Sequence, residues 1–169
     1  PLYYMNVHDI DAMRWAVGSD VQEVTGVEQR GELKEIDVPD AVHATLTFED
    51  GTVGSLSGVG VLRDDTPGGI TASLELVGTA GTAAVNTPGT TLTVNGTAGY
   101  DRPDLRHWPV VNNRMDGAVR RQIDSFERAI DGDDDMLASI RDGAHAQAIA
   151  DAIRTAIETG EPTAVDTRN

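Results

Sequence analysis

The chain has 169 residues, enough for one domain that buries a core without staples. It has no cysteine, which excludes disulfides and thiolate metal sites, and no stretch approaches the roughly 18 apolar residues of a membrane span. Its 28 acidic and 13 basic residues give a net charge of −15, a surface that repels nucleic acid and anionic membrane. Lys34 is the only lysine, and the acids are spread along the chain. This pattern is expected of a protein adapted to a salt-rich cytoplasm, where ionic strength screens self-repulsion, the alternative being an acidic tail or cation buffer. No charged-then-apolar signal segment opens the sequence, so a cytoplasmic location is expected.

The first predicted helix runs from about Val7 to Val17. Asn6 stands at the cap position with Asp9 three residues on, in the manner of a capping box. Ile10, Met13 and Val17 repeat at helical spacing, and Gly18 ends the helix. Trp15 is expected in the core, since the helix must bury something.

The middle of the chain reads as β-structure. "VQEVTGV" is a strand, and "VHATLTF" alternates, with Val42, Ala44, Leu46 and Phe48 on one face and His43, Thr45 and Thr47 on the other. "EDGT" is a hairpin signal leading to "VGSLSGVGV". "ITASLELVG" and "TAAVN" flank a second hairpin turn, "GTAGT", and "TLTVNG" gives another strand. "DRPDLRHWPVVNNRMDG" is a long irregular stretch, and such loops are often functional.

Two helices close the sequence. Val119, Ile123, Phe126 and Ile130 form one stripe. The second helix, "SIRDGAHAQAIADAIRTAIETG", has a Ser139–Asp142 capping box and stops at Gly160, with Ile149, Ile153, Ala156 and Ile157 as its buried stripe. A helix, then strands, then helices without βαβ alternation predicts an α+β fold: a large, mostly antiparallel open sheet of about six strands with helices packed on one face. The other sheet face, with small residues such as Gly54, Gly58 and Thr45, is expected to be flat enough to pack on a second copy.

Several chemistries fail on spacing. Gly58 and Gly60 are followed by Arg63 where a dinucleotide loop needs glycine, and "GTAGT" lies between strands. The "DGDDD" run places Asp131, Asp133 and Asp135 at calcium-loop spacing but has Met136 where the turn glycine belongs. Ser55 and Ser57 lack the context of a nucleophile elbow. His8 and Asp11, three apart, share a helix face but have no third metal ligand at an informative spacing. Two readings of His8 remain: a surface histidine on a capped helix, or a proton-transfer group. The positive end of a helix favours neutral imidazole, the form a general base requires.

The segment "VHDIDAMRWAVG" resembles the start of the C-terminal domain of the Gfo/Idh/MocA family of NAD(P)-dependent oxidoreductases, whose pattern is a glycine-rich run, Asp-x-x-x-His, an acidic pair, an aromatic and a closing glycine. The resemblance continues in order through "FEDGTVGSL", "LELVGTAGTAAV", "QIDSFERAI" and "RDGAHAQAIADAIRTAIETGEPTAV", and so spans nearly the whole chain. It implies a single domain over residues 1–169 that binds substrate and assembles subunits, partnered by an N-terminal Rossmann domain that holds most of the NAD or NADP and lies outside this sequence. His8 falls at the family's proton-transfer histidine, acting on a sugar, cyclitol or related polyol hydroxyl as hydride moves to or from the cofactor. The family's Glu-Lys-Pro lysine has no counterpart here. The acid expected four residues before the histidine is replaced by Tyr4. Tyr4, Asp11, His107, Trp108 and Asn112 are the substrate-binding candidates that the resemblance implies. It further implies a homodimer or homotetramer formed through the sheet face. The competing expectation is a non-enzymatic binding or assembly domain that kept the fold.

Overall fold

The computed structural model describes residues 1–169 apart from 64–65, 67–70, 88–91, 98, 102, 104, 133–135, 137 and 167–169. Asp133 and Asp135 of the calcium-like spacing therefore lie outside the described residues. The chain divides into two compact units: residues 1–61 with 138–169, and residues 62–137.

The first unit is the α+β body that the sequence predicts. Helix α1 (Val7–Val17) is followed by strands β1 (Val21–Gln29), β2 (Ala41–Phe48) and β3 (Val53–Val59). Helix α3 (Ile140–Thr159) and the short strand β10 (Thr163–Ala164) complete it. The four strands form one antiparallel sheet in the order β10-β1-β2-β3. Alternation in β2 sends Val42, Ala44, Leu46 and Phe48 inward, as expected, and leaves His43 and Thr45 exposed. Helix α3 has both halves of its capping box, stops at a left-handed Gly160, and buries Ile149, Ile153 and Ala156 along with Ala146, Ala150 and Ala152.

Its start departs from expectation. A π-helical turn, Leu2–Asn6, runs directly into α1, so Asn6 is not a side-chain cap. Its side chain is buried (1% exposed), with Nδ2 donating to Asp9 Oδ2 at 3.1 Å, while Oδ1 has no hydrogen-bond partner. What it meets is Gly58: a β-carbon there would overlap the Asn6 amide. Gly54 similarly admits the Met13 methyl. Both glycines therefore lie on the covered face of the sheet, not on the flat outer face where the sequence suggested they would be. They are small because the helical segment presses on β3. Trp15 is likewise not core: it is 78% exposed, and Ile10 and Met13 supply the buried side of α1.

Among its described residues the second unit has antiparallel ribbons and a helix. Strands β4 (Ala72–Gly78) and β5 (Gly81–Thr87) pair across the expected turn. Strand β6 (Val94–Gly96) pairs with β7 (Gly99–Asp101). Inside the stretch that reads as irregular, β8 (Val110–Val111) and β9 (Arg114–Met115) form a hairpin whose central residues, Asn112 and Asn113, both have positive φ. Asparagine tolerates that left-handed conformation. Helix α2 (Ala118–Asp131) carries the predicted stripe, with Ile123, Phe126 and Ile130 exposed. Among the described residues the strands form one four-stranded sheet and three two-stranded ribbons.

Because Asn6 fills the space above β3 and is held by Asp9, Gly58→Ala forces a buried side chain aside. Urea unfolding of this variant should show a loss of about 1–3 kcal/mol, the usual range for overpacking, and Gly58→Ala combined with Asn6→Gly should recover most of it.

Candidate functional site

Tyr4, His8, Asp11 and Trp15 follow one another at steps of four, three and four, the spacing of a single helix face. Tyr4 is 84% exposed, His8 is exposed, and Asp11 is half-buried. No described side chain hydrogen-bonds to His8, so its imidazole is presented outward from α1. The π-helical turn puts His8 beyond the first turn of the continuous helical run, so the expected influence of the helix end on its imidazole is weaker than the sequence suggests.

The face is anchored from behind. Tyr3 donates its hydroxyl to Asp151 Oδ1 (2.8 Å) and accepts from Arg154 Nε (2.7 Å), tying the first helical turn to α3. Burial, and then the Asp151 carboxylate, push the Tyr3 hydroxyl above its ordinary range, while Arg154 pulls it back.

Nearly two turns past His8, Arg14 gathers a charged cluster. Its Nε and Nη2 donate to Asp20 Oδ1 (3.1 and 2.6 Å), and Nη2 also donates to His145 Nδ1 (2.8 Å). Asp11 and Asp142 lie 3.8 and 3.7 Å from Nη1. The Arg14 side chain is only 10% exposed. The Arg14 hydrogen bond holds the Asp20 carboxyl below the usual carboxylate range. The Ser139 hydroxyl, followed by its backbone amide, does the same for Asp142. Asp11 thus faces Arg14 and not His8. The sequence reading missed Arg14, Asp20 and His145 as partners; the one available signal was the Asp11–Arg14 spacing.

His107, Trp108 and Asn112 belong to the second unit, while Tyr4, His8 and Asp11 belong to the first. The rings of His107 and Trp108 are tilted by 50° with centroids 5.9 Å apart. Their loop is fixed to α2: the carbonyls of Arg106 and His107 accept from the amides of Ala118 (2.6 Å) and Val119 (3.0 Å). Gly117, at φ +95°, makes this approach, since a β-carbon there would lie 2.5 Å from the Arg106 carbonyl oxygen. Asn112 has a backbone reason for its identity in the hairpin turn. Among the described residues no group of three or more His, Asp or Glu is placed to hold a metal ion, and no helix is long and apolar enough to cross a membrane.

Residues 1–165 match the family model described as "Oxidoreductase family, C-terminal alpha/beta domain", of Gfo/Idh/MocA type. The chain belongs to the Gfo/Idh/MocA oxidoreductase family. It is 26% identical over 165 residues to the uncharacterized oxidoreductase YrbE of Bacillus subtilis (strain 168), covering 96% of this chain and 47% of that protein. Among solved structures it is similar to myo-inositol 2-dehydrogenase from Lactobacillus plantarum, with a TM-score of 0.72 and 25% identity over 96% of this chain and 47% of that one. The fold is shared with scyllo-inositol dehydrogenase from Lactobacillus casei, solved with NAD(H) and scyllo-inositol, at a TM-score of 0.70 and 22% identity over 98% of this chain and 48% of that one. The chain therefore spans about half the length of the relatives it matches, and the matching family domain is a C-terminal one.

The charge cluster gives a prediction with a definite sign. Asp20 and Asp142 titrate lower in the folded chain than in the unfolded one, so their stabilising contribution is complete above the unfolded carboxylate range, near pH 4, and drains away as pH falls below it. Arg14→Leu leaves three carboxylates without their cation. It should lower unfolding free energy at neutral pH by about 1–2 kcal/mol, the carboxylates being partly screened by solvent, and flatten the part of the acid limb of a stability–pH curve, measured by denaturant unfolding, that Asp20 contributes, while Asp142 keeps its Ser139 bonds.

Proposed function

We propose that the chain is the substrate-binding and oligomerisation domain of an NAD(P)-dependent dehydrogenase acting on a hydroxyl of a sugar, cyclitol or related polyol. The observation that carries this reading is His8: an outward-facing imidazole to which no described side chain hydrogen-bonds, at the family's histidine position, on a helix held from behind by Tyr3 and Arg14. The inositol dehydrogenases among its structural relatives support the substrate class, and the NAD(H) in one of them supports the cofactor.

In this reading an N-terminal Rossmann domain binds most of the nicotinamide cofactor, which when bound exchanges hydride with the carbinol carbon. The chain's own part is proton handling and orientation. Neutral His8 accepts the hydroxyl proton through a ring nitrogen and returns it in the reverse direction. Tyr4, one turn earlier, offers a hydroxyl that donates to or accepts from a neighbouring substrate hydroxyl. Asp11 is drawn toward Arg14 and serves to hold the helix, with one side still open to solvent. His107, Trp108 and Asn112 are the further candidates for substrate contact. In the longer protein containing the nucleotide-binding domain, His8→Asn should lower turnover at least about a hundredfold with little change in thermal stability; an unchanged rate would demote His8 to scaffolding. Tyr4 in place of the acid favours a second reading, a non-enzymatic binding or assembly domain, and that reading requires the longer protein to show no hydride transfer at all.

The acidic surface fits a salt-rich cytoplasm. Assembly as a homodimer, or a homotetramer built from it, fits the outer face of the β1–β2–β3 sheet. That face is made largely of threonine, serine and valine, with Val27 and Val53 about two-thirds exposed (66% and 65%). Light scattering in molar potassium chloride should give twice the chain mass, and Thr45→Arg, on the central strand of that face, should reduce it to one.

A further inference from the structure

We infer that self-association through the outer sheet face is proton-sensitive, and that His43 is the group responsible: a proton taken up by this imidazole loosens the pairing of two copies. The inference rests on the sheet-face pairing proposed above.

The sheet register lays out the outer face as four cross-strand rows. Gln29, Ala41 and Val59 form the first row; Val27, His43 and Ser57 the second; Thr25, Thr45 and Ser55 the third; Glu23, Thr47 and Val53 the fourth. Two of these twelve positions can carry charge. Glu23 sits in the end row on β1, and His43 is on β2, the strand paired on both sides, in an interior row. The elements flanking His43 offer it no counter-ion: Val27 on β1 and Ser57 on β3 are its direct neighbours, Ala41 and Thr45 lie before and after it on its own strand, and Glu23 is two rows away. Arg14, Asp20, Asp142 and His145 belong to the helical side of the sheet. No described side chain hydrogen-bonds to His43, which is exposed in the single chain.

A second copy is the occupant that this face fits. A chain of net charge −15 can approach itself only where acid does not meet acid, and this short-side-chain, nearly uncharged face is such a place. A charged partner gains nothing from threonine, serine and valine. Two sheets with small outward residues pack about 10 Å apart, a gap in which the central strand loses water. Neutral imidazole tolerates that burial; imidazolium does not, because desolvation disfavours the charged form and the face supplies no anion beside it.

The remainder of the chain pushes the other way. Acidification neutralises carboxylates, lowers the repulsion between two copies and favours association. Loosening at lower pH is therefore a distinctive result.

The test is sedimentation equilibrium of the 169-residue chain in molar potassium chloride at about pH 7.5 and about pH 5.5, on either side of the histidine range. The wild-type dimer dissociation constant should rise at least about tenfold at the lower pH, while His43→Gln should hold its affinity or tighten. A dimer whose constant does not rise, or rises equally in His43→Gln, overturns the inference and leaves the sheet-face pairing standing. Tightening on acidification that vanishes in Glu23→Gln also overturns it, by showing that a partner carboxylate meets the imidazole. A chain that remains monomeric at every pH and concentration overturns the sheet-face pairing itself, and the inference with it.

Discussion

The clasp of Arg14 across the start of α3 is the interaction on which the candidate site depends. Alone, α1 has eleven residues and two buried side chains, too few to hold a short helix in register. The guanidinium adds directional bonds to Asp20 just past its own helix and to His145 on α3. Tyr3 makes the corresponding tie at the other end through Asp151 and Arg154. Between those two ties lies His8. Its outward direction is therefore a consequence of what is fastened behind it, and a hydrogen-bonding partner of its own is not needed to aim it.

Much of this architecture was legible because the signals were local. The capping box of Ser139 and Asp142, the alternation in β2 and the glycine stop at residue 160 all act within a few residues, and each is where the sequence places it. The errors have a common cause. Asn6 has the composition of a cap, but tertiary contact with Gly58 reassigned it to the core, and the chain before it wound into a π-helical turn. Trp15 looked like core because a helix needs an apolar side; Ile10 and Met13 met that need, leaving the indole outside. Gly54 and Gly58 read as features of a bare surface, yet their smallness answers a helical segment pressed against them. For Asn6 and the two glycines the deciding contact joins residues far apart in sequence, which periodicity cannot register.

Of the candidate site, the sequence exposed the histidine and its helix face but not the support. Arg14, Asp20 and His145 are separated by up to 131 residues, and only the Asp11–Arg14 spacing hinted at them. The second-unit candidates illustrate the opposite problem. Asn112 was a candidate for substrate contact, whereas the backbone suits asparagine at both 112 and 113 to close a two-residue hairpin.

Charge connects the site to the rest of the molecule. A net charge of −15 disperses the chain from most anionic partners, so any self-contact has to be sought where acids are sparse. Helix α3 does not meet that condition: Asp151 and Glu158 stand on its exposed side. The outer face of β1–β3 does meet it, and it is the reverse side of the same sheet whose covered side seats Asn6 and α1. Pairing through that face would leave the His8 side of α1 uncovered for a nucleotide-binding domain. The two proposed contacts therefore do not compete, because the sheet separates them, and the residues that serve one have no part in the other.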